Sequence, residues 1–273
     1  MSYLNAIVGF FVDALMRPFD RPWSALVAAA FVTAFLMLLI IRWTSSPAAI
    51  RRAKNRLIAR VLELVLFRND ALVSFTAGGR ILAANGFYLL RLLRPVLFSA
   101  VPFVLILTQL TCWFAIRPLH VGETTILEIK LREGLLVTAR SVVVSGNNAI
   151  DIETSALHIP RLSEIDWRLR GVQDGVDSIE IEIDHEVPVS KQIVVGETLQ
   201  KVSQRRTGSG LRGQFLFPAE PPIDAASSVA EVNVRYPMRR LYLANREIDW
   251  LLAFVVLTMI FGLILKCPLR VEL

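Results

Sequence analysis

Three long runs of hydrocarbon divide the chain, and between them the spacing of apolar residues switches from helical to alternating. SALVAAAFVTAFLMLLII (24–41), PVLFSAVPFVLILTQLTCWFAI (95–116) and WLLAFVVLTMIFGLIL (250–265) contain no charged side chain. A bilayer core of about 30 Å is crossed by about 20 helical residues, so the first two runs have spanning length. The third reaches it if residues 241–249 form a helical lead-in and Trp250 sits at the interface; a buried helix is the alternative reading. The opening stretch, residues 1–23, is apolar but broken by Asp13 and Pro18, the pattern of a helix lying on a membrane surface.

Between the first two runs the pattern is amphipathic. Ser46 followed by Pro47 is a helix start, since serine caps free amides and proline suits the first helical position. Ile50, Leu57, Val61 and Leu64 then share one face, with Arg52, Arg56, Arg60 and Glu63 elsewhere. After a turn at Arg68-Asn69-Asp70, Leu72, Phe75, Gly79, Leu82, Gly86, Leu89 and Leu93 follow the three-four spacing of a packed helix pair. Glycines on such a seam admit a close neighbouring backbone, although Gly78-Gly79 also reads as a break. Residues 43–94 are thus expected to form a helical hairpin running into the second span. Its candidate contact residues are Arg52, Arg56, Leu57, Arg60, Val61 and Leu64, facing anionic lipid, ribosomal RNA or an acidic helix; a solvated linker is the plainer alternative.

From residue 117 to about 236 the period becomes two. TTILEIKLRE (124–133), LLVTARSVVVS (135–145), SIEIEIDHEVPV (178–189), KQIVVGE (191–197) and VAEVNVRYP (229–237) alternate or are rich in β-branched residues, with glycines between them. Strands joined by turns are expected, arranged as a β-sandwich-like domain over 117–246. Residues 200–213 and 217–228 read as exposed loops.

Charge sets a direction. The net charge is +6, but residues 42–94 carry ten Lys and Arg against Glu63 and Asp70, whereas residues 117–246 carry sixteen against seventeen Asp and Glu. Basic residues beside spans are kept on the cytoplasmic side. The expected fold class is therefore membrane α + β: three transmembrane helices (24–42, 95–116 and 249–266), a cytoplasmic basic hairpin (43–94), an extracytoplasmic β-sandwich-like domain (117–246) and a cytoplasmic tail (267–273). This is a multi-pass inner-membrane arrangement with the N-terminus outside. A cleaved signal peptide would place its positive charge before a short apolar core, and here the charge follows a long one.

Candidate chemistry is sparse. His120, His158 and His185 are far apart, and no Cys or His spacing matches a zinc site. Asp184-His185-Glu186 would alternate faces on a strand, and Gly208-Ser209-Gly210 lacks a Walker lysine. No catalytic, metal or cofactor-binding residues are assigned, and no nucleic-acid module is present. Cys112 and Cys267 fall toward opposite membrane faces, which favours free thiols. Within the second run, Thr108, Gln109 and Thr111 form the most polar patch, fitting either helix–helix hydrogen bonds or a polar groove.

An outer N-terminus, a span, a basic cytoplasmic hairpin, a proline-bearing span (LLRPVLFSAVPFVLILTQL) and a returning span resemble the plan of the YidC-type membrane protein insertase superfamily. The RRAKNRLIARVLELVLFRND segment is also similar to that of bacterial three-span membrane proteins. The resemblance implies a non-enzymatic helper of membrane-protein insertion, folding or assembly. Nascent membrane proteins or the ribosome would meet the hairpin, and Thr108, Gln109 and Thr111 would line a groove. The chain departs from that superfamily in having no Arg or Lys inside a span and in its inserted β-domain. A scaffold subunit whose β-domain binds an envelope protein is the alternative.

Overall fold

The structure, a computed structural model, describes residues 2–44, 71–132, 141–146, 148–184, 186–208 and 210–269, together with 52, 54, 55, 58, 59 and 62. It combines apolar helices with antiparallel β-sheets. Helix α1 (Ser2–Met16), α2 (Pro22–Thr44) and α3 (Ala71–Phe114) precede the sheets, a short α4 (Leu211–Leu216) interrupts them, and α5 (Trp250–Lys266) follows. Two stretches, Pro22–Thr44 and Ile81–Phe114, are long and apolar enough to cross a membrane; α5 is as apolar but has 17 residues. The chain divides into two compact units, Met1–Ala29 with Leu105–Phe254 and Ala30–Val104 with Val255–Leu273.

The β-strands belong to the first unit. One sheet runs in the order β3 (Ile150–Ile152), β5 (Glu164–Gly171), β1 (Thr124–Leu131), β9 (Val229–Val234), β8 (Arg205–Thr207), with β4 (Leu157–Ile159) also on β5. A three-stranded sheet orders β2 (Val142–Ser145), β6 (Gly175–Ile183) and β7 (Val189–Val195). The described strands pair antiparallel, and the alternation seen in the sequence decides which side chains are buried: Leu127, Ile129 and Leu131 join the same core as Ile165, Trp167 and Leu169 from β5 and Val232 and Val234 from β9. Ile179, Ile181 and Ile183 of β6 and Ile193 and Val195 of β7 fill that core from the other sheet. Both sheets thus contribute to one apolar cluster. The Tyr236 hydroxyl is buried in it and accepts the Val194 N–H at 3.0 Å; burial pushes this phenol well above its ordinary range.

Three expectations change. Residues 241–249 are not a helical lead-in but a hairpin, β10 (Leu241–Leu243) and β11 (Arg246–Ile248), closed by Ala244 and Asn245 at φ 49° and 64°. Two consecutive left-handed residues suit the tight turn of a two-residue hairpin. Helix α5 cannot extend back through it, because Asp249 caps the start: its Oδ1 accepts the N–H groups of Leu251 at 2.8 Å and Leu252 at 3.2 Å. Residues 200–213 are not an exposed loop; Val202 and Ser203 are buried, β8 pairs with β9, and α4 begins at Leu211. Residues 217–228 likewise send Ile223 and Glu220 inward. Strand β5 was not anticipated at all.

In the second unit, Phe31 of α2 and Phe261 of α5 meet edge to face at 5.5 Å, and Arg42 Nη1 donates to the Leu269 carbonyl at 3.4 Å. Helix α3 is continuous despite Pro95 and Pro102.

Candidate functional site

Of the hairpin residues singled out in the sequence, Arg52 is helical and exposed; Arg56, Leu57, Arg60, Val61 and Leu64 lie outside the described residues. The expected second arm falls in the N-terminal part of α3. Among the described residues Leu82, Leu89 and Leu93 are exposed there, and a Cβ built on Gly79 or Gly86 meets nothing within 4 Å.

The polar patch in the second apolar run lies in the first unit. Thr108 and Thr111 return their hydroxyls to their own helix, donating to the carbonyls of Leu105 at 2.8 Å and Leu107 at 2.9 Å. Gln109 is 1 % exposed, and its Nε2 donates to the carbonyl and the side-chain oxygen of Asn5 in α1, at 3.2 and 2.8 Å. Gly9, one turn further on, permits this approach; a Cβ there would stand 3.2 Å from Nε2. Gln109 Oε1 is buried with no partner among the described residues.

Helix α1 is held at a second point that the sequence did not reveal. Asp13 Oδ1 accepts the Trp113 indole N–H at 3.1 Å, and Oδ2 accepts the Lys201 ammonium at 2.8 Å. The backbone of residues 199–202 docks beside it, with Val202 N–H donating to the Cys112 carbonyl at 2.8 Å and Leu199 N–H to the Asp20 carbonyl at 3.4 Å. A cavity of about 410 Å³ opens here, lined by Arg17, Asp20, Trp113, Gln192, Lys201 and Ser203. The outward face of α1 presents Ile7, Phe10 and Phe11, opposite buried Val12 and Met16.

Behind that cavity Lys191 is 0 % exposed. Its Nζ donates to Ser203 O at 2.6 Å, Ser203 Oγ at 3.0 Å and Glu220 Oε1 at 2.5 Å. Burial pushes the Lys191 ammonium below its ordinary range, against the pull of Glu220. A serine hydroxyl beside a buried lysine is a pattern that activates nucleophiles when the amine is neutral. Here three acceptors surround the amine and use all three protons of an ammonium, so the Ser203 oxygen accepts and its own proton has no base in this group. The trio ties β7 to the 199–203 and 217–223 segments.

At the turn from α3 into the domain the groups are basic. Arg117 forms a bidentate pair with Glu123 at 2.8 and 2.9 Å; the Arg117 guanidinium holds the Glu123 carboxyl below its ordinary range. Arg240 meets Glu247 at 3.4 Å. Trp23 Nε1 donates to the Tyr242 carbonyl at 2.9 Å, which secures the start of α2 to the β10–β11 hairpin. Among the described residues no three His, Cys, Asp or Glu side chains converge on a metal-sized site. Both cysteines are free thiols, Cys112 buried and Cys267 exposed. Asp13, Lys201, Lys191 and Glu220 carry no local motif, and only their isolation among apolar or loop residues marked them in the sequence. No family model, curated protein or solved structure matches this chain.

Proposed function

We propose that the protein is a multi-pass inner-membrane protein, non-enzymatic, that assists the insertion, folding or assembly of other membrane proteins. In this reading α2, the C-terminal half of α3 and α5 span the bilayer, the β-domain is extracytoplasmic, and the basic hairpin is cytoplasmic. Large apolar side chains on these helices face outward, among them Val96, Leu97, Phe98 and Val101 of α3 and Leu252, Met259, Leu263 and Ile264 of α5. Exposed hydrocarbon on that scale is costly in water and suits lipid. Tryptophans stand near helix ends, Trp23 and Trp43 in α2, Trp113 in α3 and Trp250 in α5, while the last turns of α2 and α5 carry Arg42 and Lys266. Tryptophans suit either membrane interface, and the basic residues suit the cytoplasmic one.

The observation that carries the helper role is α3 itself. Helix α3 carries, ahead of its apolar stretch, a Gly79–Leu82–Gly86–Leu89–Leu93 stripe whose leucines are exposed among the described residues, a surface suited to an apolar client helix. The basic residues Arg52, Arg56 and Arg60 would steer ribosome or anionic lipid toward it. Thr108, Gln109 and Thr111 would line a polar groove covered by α1, which becomes accessible when the Asn5–Gln109 contact opens. Photocrosslinkers at Leu82, Leu89, Arg56 and Gln109 test this: capture of nascent membrane proteins, with impaired client insertion on depletion, is the expected result. Capture only of folded envelope proteins through the β-domain would instead favour a scaffold. That second reading draws on exposed Val143, Val176 and Val187 around the three-stranded sheet and on the closure of Gln109 by α1.

A further inference from the structure

Helix α1 turns its polar groups inward and its hydrocarbon outward. From Asn5 to Met16 the exposed side chains are Ala6, Ile7, Phe10, Phe11 and Ala14, the three-four spacing of one helical face. Phe10 and Phe11 are 70 % and 67 % exposed. Asn5, Gly9 and Asp13, four residues apart, lie on the inner face. The two polar ones are satisfied there: the Asn5 side-chain oxygen accepts Gln109 Nε2, and Asp13 accepts the Trp113 indole N–H and the Lys201 ammonium. A helix facing water shows its polar side outward; polar groups turned to protein and hydrocarbon turned away from it is the arrangement of a helix in lipid.

The same contacts give α1 a direction. Asn5 meets Gln109 and Asp13 meets Trp113, so the two helices run in the same sense where they touch. Gln109 to Trp113 is a rise of about 6 Å and Asn5 to Asp13 one of about 12 Å, which inclines α1 to this end of α3 without laying it crosswise. The Asp13 end is the one tied to the β-domain, through Lys201, and the exposed charges Arg17, Asp20 and Arg21 follow directly after it. The Asn5 end points back along the charge-free run of α3.

We propose that the outer face of α1 is immersed in the acyl chains of the bilayer, the helix entering obliquely from the β-domain side with its Asn5 end deepest, as a lipid-supported cover over Gln109. This rests on the membrane reading above. A helix lying flat on a membrane keeps a polar face in water, and α1 exposes no polar side chain between Asn5 and Met16. Lipid is the occupant because the face has no polar group to fix a partner's register, and two adjacent phenylalanines at its centre hold off the close backbone approach that pairs helices in membranes.

The test uses the full-length chain with Cys112→Ser and Cys267→Ser, reconstituted in vesicles of phosphatidylcholine and phosphatidylglycerol. A nitroxide is placed on one introduced cysteine at a time: Ile7→Cys, Phe10→Cys or Ala14→Cys on α1, Met259→Cys on α5, and Ser155→Cys on the β-domain, all exposed positions. Power-saturation electron paramagnetic resonance compares collisions with oxygen, which concentrates in hydrocarbon, and with a polar nickel chelate, which stays in water. The oxygen-to-chelate ratio at Ile7 and Phe10 is expected to be several-fold above that at Ser155 and in the range of Met259, falling from Ile7 through Phe10 to Ala14. A ratio at Ile7 and Phe10 as low as that at Ser155, with Met259 high, would overturn the inference and leave the membrane reading standing. A low ratio at Met259 as well would remove the membrane reading itself. Weak collisions with both reagents would place protein on the face and overturn the lipid occupant, and equal ratios at the three α1 positions would overturn the oblique entry.

Discussion

Lys191 shows how one residue organises a region that has no regular pattern of its own. Its ammonium reaches from β7 to Ser203 and Glu220 and draws two otherwise irregular segments onto the sheet. Removing one partner of a buried ion pair leaves the other charge uncompensated, at a cost of about 3–5 kcal/mol, whereas replacing both with apolar groups is often nearly neutral. Lys191→Met should therefore destabilise the protein by about 3–5 kcal/mol in denaturant unfolding, and Lys191→Met combined with Glu220→Leu should recover most of that loss. Equal loss in the single and double variants would show that the pair is not the source of the effect. Glu123 makes a pH-dependent contribution. Its folded pKa lies below its ordinary 4.5, chiefly through the hydrogen bonds from Arg117. The stability it adds is fully present above pH 4.5 and lost as pH falls through the lower folded value. Melting curves between pH 6 and pH 3 should show Glu123→Gln losing less stability on acidification than wild type.

Helix α3 is the element on which the functional reading turns. Glycine in a helix interior costs about 1 kcal/mol relative to alanine, and nothing among the described residues lies against Gly79 or Gly86 to offset this. Gly79→Ala with Gly86→Ala should raise helical stability by up to about 2 kcal/mol while reducing client crosslinking at Leu82 and Leu89, since added methyl groups hold a partner backbone away. Unchanged crosslinking would remove the glycines from the docking surface. The apolar helices and β1, β6, β7 and β9 were legible because their hydrophobic periods are long and clean. Strand β5 carries the same alternation, Ile165, Trp167 and Leu169 between Asp166 and Arg168, but it was not anticipated because its charges masked the pattern. The β10–β11 hairpin was not, because three-residue strands carry too few alternations and the left-handed Ala244 gives no glycine signal. The docking of α1 also escaped the sequence: Asn5 to Gln109 and Asp13 to Lys201 are contacts between residues far apart in the chain, and no local spacing encodes them.

At the scale of the whole molecule the charge is asymmetric: the 42–94 segment is strongly basic and the 117–246 segment nearly balanced. The proposed threading would put Cys267 and the β-domain on opposite faces of the membrane. The native thiols supply a probe: Cys267 is exposed and Cys112 buried. With Cys112→Ser as background, a membrane-impermeant maleimide distinguishes the sides of an intact cell membrane. Ser155, exposed on the β-domain, should label as cysteine from outside in a chain that also carries Cys267→Ser, and Cys267 alone should label only after permeabilisation. Labelling of both positions from the same side of the intact membrane would contradict the threading, and with it the proposed cytoplasmic docking arm.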